Sequence, residues 1–391
     1  SLAYFAGVNF EDVFQQTRVW DGIMNRFLMA RNIVLPPSKV SRKENQIAGA
    51  YVMSPVPGKY NWVVSFDAAS LYPNTLIALN LGIETIAAQT YTSSPNDMIL
   101  SRQAVTTDAG CTLAGNGFGF SKAKKSYLAE AVQGVLDGRK IAKKAMLDAE
   151  AEIEKLKAKG GSKKKIADLE QIVSRNNTIQ SVYKVCANSA YGTMASPFFR
   201  FFDTRIAEAI TLTGQLLIQW VRDRVNEDLT ARFGTRPHGY VIASDTDSVY
   251  VTLDRMPEVC EEKVKAFADG ELTKVIKQAT KELEDILGIA DSRWSFKREV
   301  IADSAIWTAK KRYILNILHN EAGRLSEPEI KITGIEAVRS TTPEWARDHI
   351  KVAMKKMLRE TEGTVQEYIK KVKTEFLQLP PEEIALPTAV S

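Results

Sequence analysis

The chain has 391 residues, of which 45% are hydrophobic and 25% charged. That profile excludes global disorder, a collagen-like chain and a small disulfide scaffold, and the length suits two or three packed units. The formal net charge of +5, from 52 basic and 47 acidic residues, permits a polyanionic partner without requiring one. Three cysteines (Cys111, Cys186, Cys260) and three histidines (His238, His319, His349) are scattered, so neither a disulfide framework nor a zinc pattern is expected. The longest uncharged stretch, Ala68 to Ile83, contains Pro73, Asn74 and Asn80 and does not read as a membrane span. No signal peptide is visible. The chain opens at Ser1 without Met and closes on Leu386 to Ser391 without a helical pattern, which reads as a fragment or one piece of a larger machine.

Trp62 to Phe66 is a short β-rich apolar run after Pro55, Pro57 and Gly58, and it predicts a buried strand ending at Asp67. Residues Ser93 to Gly119 read as loops and short strands. A helix is predicted over about Lys122 to Lys159, with the stripe Leu128, Val132, Val135, Ala142, Met146, Ala149, Ile153 and Leu156, interrupted by Arg139. Gly160-Gly161 breaks it, and Ser162 can cap a second helix running to about Met194. At 1.5 Å per residue the two form an antiparallel αα-hairpin roughly 50 Å long. Asp203 caps a third helix with Ile206, Ile210, Leu217, Trp220 and Val221 on its buried face. Tyr240 to Ser244 and Ser248 to Thr252 predict a hairpin with Asp245-Thr246-Asp247 at its turn. Pro257 to Gly288 reads as broken helix, Trp294 to Ile317 as strands, and the end from about Pro343 as charged helix.

A lone Asp at a turn is usually turn chemistry. A strand-end Asp67 and an Asp245-x-Asp247 hairpin can nevertheless converge if their elements share a sheet. Their repulsion would then be relieved by Mg²⁺, a hard cation that prefers oxygen ligands. A pair of such ions can serve phosphoryl transfer. From the Asp-x-Asp pattern alone, a plain turn remains the commoner explanation. Arg139 and Lys143 stand four apart and share a helix face. Lys184, Asn188 and Tyr191 share one on the next helix. Cations converging on one groove would bind a triphosphate, Arg by forking to two oxygens and Lys as a point charge. A solvated face is the simpler reading for Lys143, less so for Arg139 and Lys184. The Lys163-Lys164-Lys165 run reads by default as a solvated turn.

Asp67-Ala68-Ala69-Ser70-Leu71-Tyr72-Pro73 resembles the first polymerase motif, D-x-x-S-L-Y-P, of family B DNA polymerases. Lys184-x-x-x-Asn188-Ser189-x-Tyr191-Gly192 resembles the second, Asp245-Thr246-Asp247-Ser248 the third, and Lys310-Lys311-Arg312-Tyr313 the K-K-R-Y element that follows. Order and approximate spacing agree. Val8 to Phe14 and Lys331-Ile332-Thr333-Gly334-Ile335-Glu336 resemble the branch found in T-even-type tailed phages.

The resemblance implies an α+β right-hand polymerase with an antiparallel-sheet palm, αα-hairpin fingers and a partial helical thumb. Residues 1–60 would be a linker or remnant after an exonuclease region, 61–122 and 196–335 the palm, 123–195 the fingers, and 336–391 the start of the thumb. It implies a DNA-templated DNA polymerase core using two Mg²⁺ ions, with primer–template DNA and deoxynucleoside triphosphates as partners. A separate chain carrying exonuclease or thumb and a sliding clamp are further implied partners. The expected setting is the cytoplasm of an infected bacterial host, without a membrane. Asp67 and Asp247 would ligate both metals, with the Ala68 carbonyl, and Asp245 would support their geometry. Ser70 and Leu71 would offer backbone N–H groups to the triphosphate, and Tyr72 would clash with a 2′-hydroxyl. Arg139, Lys143 and Lys184 would hold its phosphates, with Lys184 counted among the catalytic residues. Asn188, Tyr191 and Gly192 would line the nascent base pair. Lys310, Lys311, Arg312 and Tyr313 would track the duplex, with Lys311 nearest the metals. Glu299 is a candidate third acidic neighbour. Asn74 stands where the family often has Ser, and Ala243-Ser244 where it usually has Tyr-Gly. The family's exonuclease and most of its thumb are not found in the sequence, so proofreading is not expected. Two other readings compete: a non-catalytic or partner-dependent DNA-binding piece of a split polymerase, and an RNA-directed or RNA-making palm enzyme. The intact acidic and basic groups argue against the non-catalytic reading, and Tyr72 in its S-L-Y-P context against the RNA enzyme.

Overall fold

The computed structural model describes residues 2–37, 47–291, 293–339 and 342–385. The predicted helix-free end, Leu386 to Ser391, lies outside them. In chain order the elements are α1 (Leu2–Ala6), α2 (Gln16–Met29), β1 (Gly58–Ala68), α3 (Leu71–Ala78), β2 (Ile86–Gln89), α4 (Asn96–Leu100), β3 (Cys111–Leu113) and β4 (Phe118–Ser121). The long helices α5 (Tyr127–Ala158), α6 (Lys163–Met194) and α7 (Thr204–Phe233) follow. Then come β5 (Val241–Asp245), β6 (Ser248–Thr252), α8 (Glu261–Phe267), α9 (Thr273–Ile286), β7 (Phe296–Ala309), β8 (Arg312–Asn320) and β9 (Gly323–Thr333). Helices α10 (Glu344–Arg359), α11 (Glu362–Phe376) and α12 (Pro381–Ile384) close the described chain. The chain is therefore α+β with antiparallel sheets.

Two compact units divide it. One comprises residues 1–50, 69–217 and 281–294; the other, 51–68, 218–280 and 295–391. The first unit holds the helical hairpin. Helix α5 begins at Tyr127 rather than near Lys122 because Ser126 fixes its start. The Ser126 hydroxyl accepts from Ala129 N at 3.3 Å and donates to the Leu81 carbonyl at 2.7 Å. Gly138 lets the two helices approach closely, since a Cβ there would lie 2.4 Å from the Tyr183 ring. Gly160, at φ +64°, makes the turn. Ser162 occupies the predicted N-cap position of α6, but its hydroxyl makes no capping bond. Asp203 does cap α7, accepting from Arg205 N at 2.9 Å. Residues 1–60, expected as a linker or remnant, contain a packed helix: Val19, Trp20, Met24 and Leu28 of α2 are buried. The indole of Trp20 donates to the Cys186 carbonyl and to Ser189 Oγ on α6, each at 3.2 Å.

The second unit is built on a six-stranded sheet in the order β5-β6-β1-β7-β8-β9. All its pairings are antiparallel. Strand alternation sorts its side chains into two layers. Tyr60, Tyr250, Trp307 and Tyr313 cluster on one face. Trp307 and Tyr313 stack at 5.3 Å, and the hydroxyls of Tyr250 and Tyr313 are 2.9 Å apart. Ile306 and Ile314, one residue away from Trp307 and Tyr313, pack on the opposite face with Met354 and Leu358 of α10. The segment expected as broken helix contains a π-helical stretch, Ala268–Leu272, between α8 and α9.

Candidate active site

In the sheet unit, the apolar run Val63 to Phe66 buries β1 between β6 and β7, and this places Asp67 at the end of a central strand. Asp67 lies opposite Ser248 of β6 and Lys297 of β7. Strands β5 and β6 pair Asp245 with Ser248, leaving Thr246 and Asp247 as a two-residue turn. Thr246 takes φ +61°, and Asp247 N donates to the Asp245 carbonyl at 2.7 Å. The turn is tied to β1 by Ala68 N, which donates to the Asp247 carbonyl at 2.8 Å. Asp67, Ala68, Asp245 and Asp247 thus belong to one sheet corner, set by strand register and main-chain hydrogen bonds. A flanking strap went unrecognised in the sequence: Met53 N donates to the Ser244 carbonyl at 3.0 Å, and Thr246 N to the Tyr51 carbonyl at 2.9 Å. Tyr51 to Met53 carry no strand pattern of their own, so local sequence offers no signal for it.

The corner is electrostatically unfavourable when ionised. Burial first, and then the charges of Asp247, Glu299 and Glu321, push the Asp67 carboxyl up to about 7 against the opposing pull of Lys331. Asp247 is also raised, first by burial and then by Asp245 and Glu299, against a backbone hydrogen bond and Lys311 that lower it. Lys311 Nζ lies 3.2 Å from Asp245 Oδ1. Glu299, the proposed third acidic neighbour, is paired with Lys331 at 3.3 Å. Among the described residues, no three His, Cys, Asp or Glu side chains form a group that could hold a metal ion. The carboxylates expected as ligands are two, Asp67 and Asp247.

Lys310 and Lys311 form the turn between β7 and β8, where Ala309 pairs with Arg312 and Lys311 takes φ +58°. Gly334, at φ +65°, approaches this turn so closely that a Cβ on it would lie 2.0 Å from the Lys311 carbonyl oxygen. Arg312 is ion-paired with Glu336, and Tyr313 lies opposite Thr333. The K-K-R-Y element and the Lys331 to Glu336 segment, read separately in the sequence, are one interlocked structure.

In the helical unit, Ser70 precedes α3 in a left-handed conformation, φ 49° and ψ 52°. Asn74, the departure from the family's Ser, donates from its side chain to the Ala69 carbonyl at 2.7 Å and steadies this bend. Leu71 is buried. The Tyr72 ring lies 4.7 Å from that of Tyr191, and a Cβ at Gly214 would lie 3.1 Å from it. On α6, Lys184, Asn188 and Gly192 are exposed. On α5, Lys143 is exposed, whereas Arg139 is partly buried and its Nε has no hydrogen-bond partner.

The family profile of DNA polymerase family B matches residues 10–385. The DNA-directed DNA polymerase of Enterobacteria phage T4 is 29% identical over 97% of this chain and 48% of its own length. That of Escherichia phage RB69 is 30% identical over 92% of this chain and 46% of its own. The DNA polymerase delta catalytic subunit of Dictyostelium discoideum is 27% identical over 90% of this chain and 28% of its own. The chain belongs to DNA polymerase family B, and it spans about half the length of the two phage relatives. No helix of the described residues is long and apolar enough to cross a membrane.

Proposed function

We propose that this chain is the core of a DNA-templated DNA polymerase of phage replication. The primer 3′-hydroxyl attacks the α-phosphorus of a deoxynucleoside triphosphate, and pyrophosphate leaves. The observation that carries the proposal is the sheet corner, where register and the Ala68–Asp247 hydrogen bond bring together two partly buried carboxylates with raised pKa values. Two hard oxygen donors that destabilise each other are a fitting donor set for Mg²⁺. Two such ions, held by Asp67, Asp247 and the Ala68 carbonyl, would supply the positive charge that phosphoryl transfer requires.

The chain's own groups take the remaining roles. Asp245, already bonded to Lys311, orients the turn that presents Asp247. Ser70 and Leu71 offer backbone N–H groups to the triphosphate at the start of α3. Arg139, Lys143 and Lys184 bind its phosphates, Arg139 by forking to two oxygens and the lysines as point charges. Tyr72, held against Tyr191, acts as the steric gate against a 2′-hydroxyl. Asn188, Tyr191 and Gly192 line the nascent base pair. Lys310, Lys311, Arg312 and Tyr313 follow the duplex, a role supported by the closely braced turn that carries them. In this reading residues 61–122 and 196–335 are the palm, 123–195 the fingers, and 336–391 the start of the thumb. A sliding clamp is a further proposed partner.

The test is primer extension by the purified chain with Mg²⁺ and four deoxynucleotides, beside Asp247→Ala. Extension that falls by about 10³-fold or more in the variant supports the proposal. Extension equal in both would place the chemistry elsewhere. DNA binding without extension in the wild type would favour a partner-dependent piece of a split polymerase.

A further inference from the structure

The α5–α6 hairpin carries a charge feature that the proposed reaction does not use. Residues 127–194 hold twelve basic and eight acidic side chains, so four of the chain's five excess positive charges lie in this one element. They concentrate at its turn. Residues 155–165 include Lys155, Lys157, Lys159, Lys163, Lys164 and Lys165, no acidic residue, and all six lysines are exposed. Lys157 pairs with Glu170 at 3.7 Å and Lys165 with Glu152 at 3.3 Å. Among the described residues no ion pair is formed by the other four. Helix stability does not account for them: Lys163, Lys164 and Lys165 fill the first turn of α6, which has no acidic residue, although the helix dipole favours negative charge there.

The chemistry of the surface narrows its partner. No aromatic residue occurs between Tyr127 and Tyr183, so nucleobases have nothing to stack on. No large hydrophobic side chain of residues 155–165 is exposed, so the surface lacks the apolar or aromatic anchor typical of a protein interface. What remains is a group of non-directional ammonium charges, suited to a phosphate backbone bound without regard to sequence.

We propose that the turn of this hairpin is a second, sequence-independent binding surface for the phosphodiester backbone of DNA. It stands about 30 Å along α6 from Lys184, by the rise of a helix over the residues between. The proposal rests on the polymerase reading above. Its test is the salt dependence of DNA affinity, by fluorescence anisotropy, for the wild-type chain and for Lys155→Gln/Lys159→Gln/Lys163→Gln/Lys164→Gln. Two probes are used, a primer–template with a single-stranded 5′ overhang and a blunt duplex. The slope of log K against log salt should become shallower by about 3, since each phosphate neutralised by a lysine adds roughly 0.7–0.9 to it. A change confined to the overhang assigns the surface to single strands; a change on both probes assigns it to duplex. Lys163→Glu/Lys164→Glu is a second variant, whose charges favour the helix start, and it should weaken binding while keeping helical content by circular dichroism. An unchanged slope in both variants, with normal wild-type binding, overturns this proposal and leaves the polymerase reading standing. A wild-type chain that does not bind DNA overturns both.

Discussion

The sheet corner and the helical hairpin carry opposite charges, and they carry them by opposite means. At the corner, Asp67 and Asp247 are set by strand register and by main-chain bonds such as Ala68 N to the Asp247 carbonyl at 2.8 Å. Their carboxyls are pushed up by burial and by the acidic groups around them. On the hairpin, Lys143 and Lys184 stand exposed on helix faces, and the backbone would form the same helix without them. Charge removal should therefore have different consequences in the two regions. At the corner it should relieve the fold while ending the chemistry. On the hairpin it should leave stability nearly unchanged and weaken substrate binding.

The sharpest break on the hairpin side is Lys184→Ala. It should lower kcat/KM for nucleotides by about 100-fold, the scale of removing a charge-assisted bond to phosphate, while the unfolding midpoint stays close to wild type. A large fall in thermal stability would show that Lys184 is structural. Tyr72→Ala should raise ribonucleotide incorporation relative to deoxyribonucleotide by about 10-fold or more, measured with single-nucleotide addition. If that ratio does not change, the packing of Tyr72 on Tyr191 is structural alone. In the sheet unit, Gly334→Ala should destabilise the chain by about 1–3 kcal/mol in urea unfolding, because its φ of +65° and the nearby Lys311 carbonyl leave no room for a Cβ. A neutral outcome would mean that the Lys310–Lys311 turn is not braced as described.

What could be read in advance follows the same division. The hairpin was legible because a helix is a local object: the stripe from Leu128 to Ile153 and the Gly160-Gly161 break are enough to outline it. Strand β1 and the Asp-Thr-Asp turn were legible for the same reason. The pieces that complete the corner were not, because they come from residues far apart in sequence. Tyr51 and Met53 bond to the turn residues around Asp245 only once β5 is placed. Gly334 meets Lys311 only because β9 runs antiparallel to β8. Trp20 did carry a local signal, since Val19, Ile23 and Phe27 recur on one helical face around it. Its purpose becomes visible only at Cys186 and Ser189, more than 160 residues away. The roles proposed for Asp67, Tyr72 and Lys184 rest on resemblance to a family, since spacing alone left a plain turn and a solvated face as competitors.

The central claim is that the Asp67–Asp247 corner is unfavourable until a cation occupies it. Asp67 sits at about 7 in the fold against roughly 3.9 in an unfolded chain. Its ionisation therefore opposes folding: the penalty is absent below about pH 4, grows as pH rises toward 7, and is complete above it. Discounted for solvent screening of a half-exposed group, it amounts to about 1–2 kcal/mol. The most direct measurement is urea unfolding of wild type and Asp67→Asn at pH 8, with and without Mg²⁺. Without Mg²⁺ the variant should be the more stable by that amount, and Mg²⁺ should stabilise the wild type but not the variant. Equal stability of the two proteins at pH 8, or an equal response to Mg²⁺, would contradict the account.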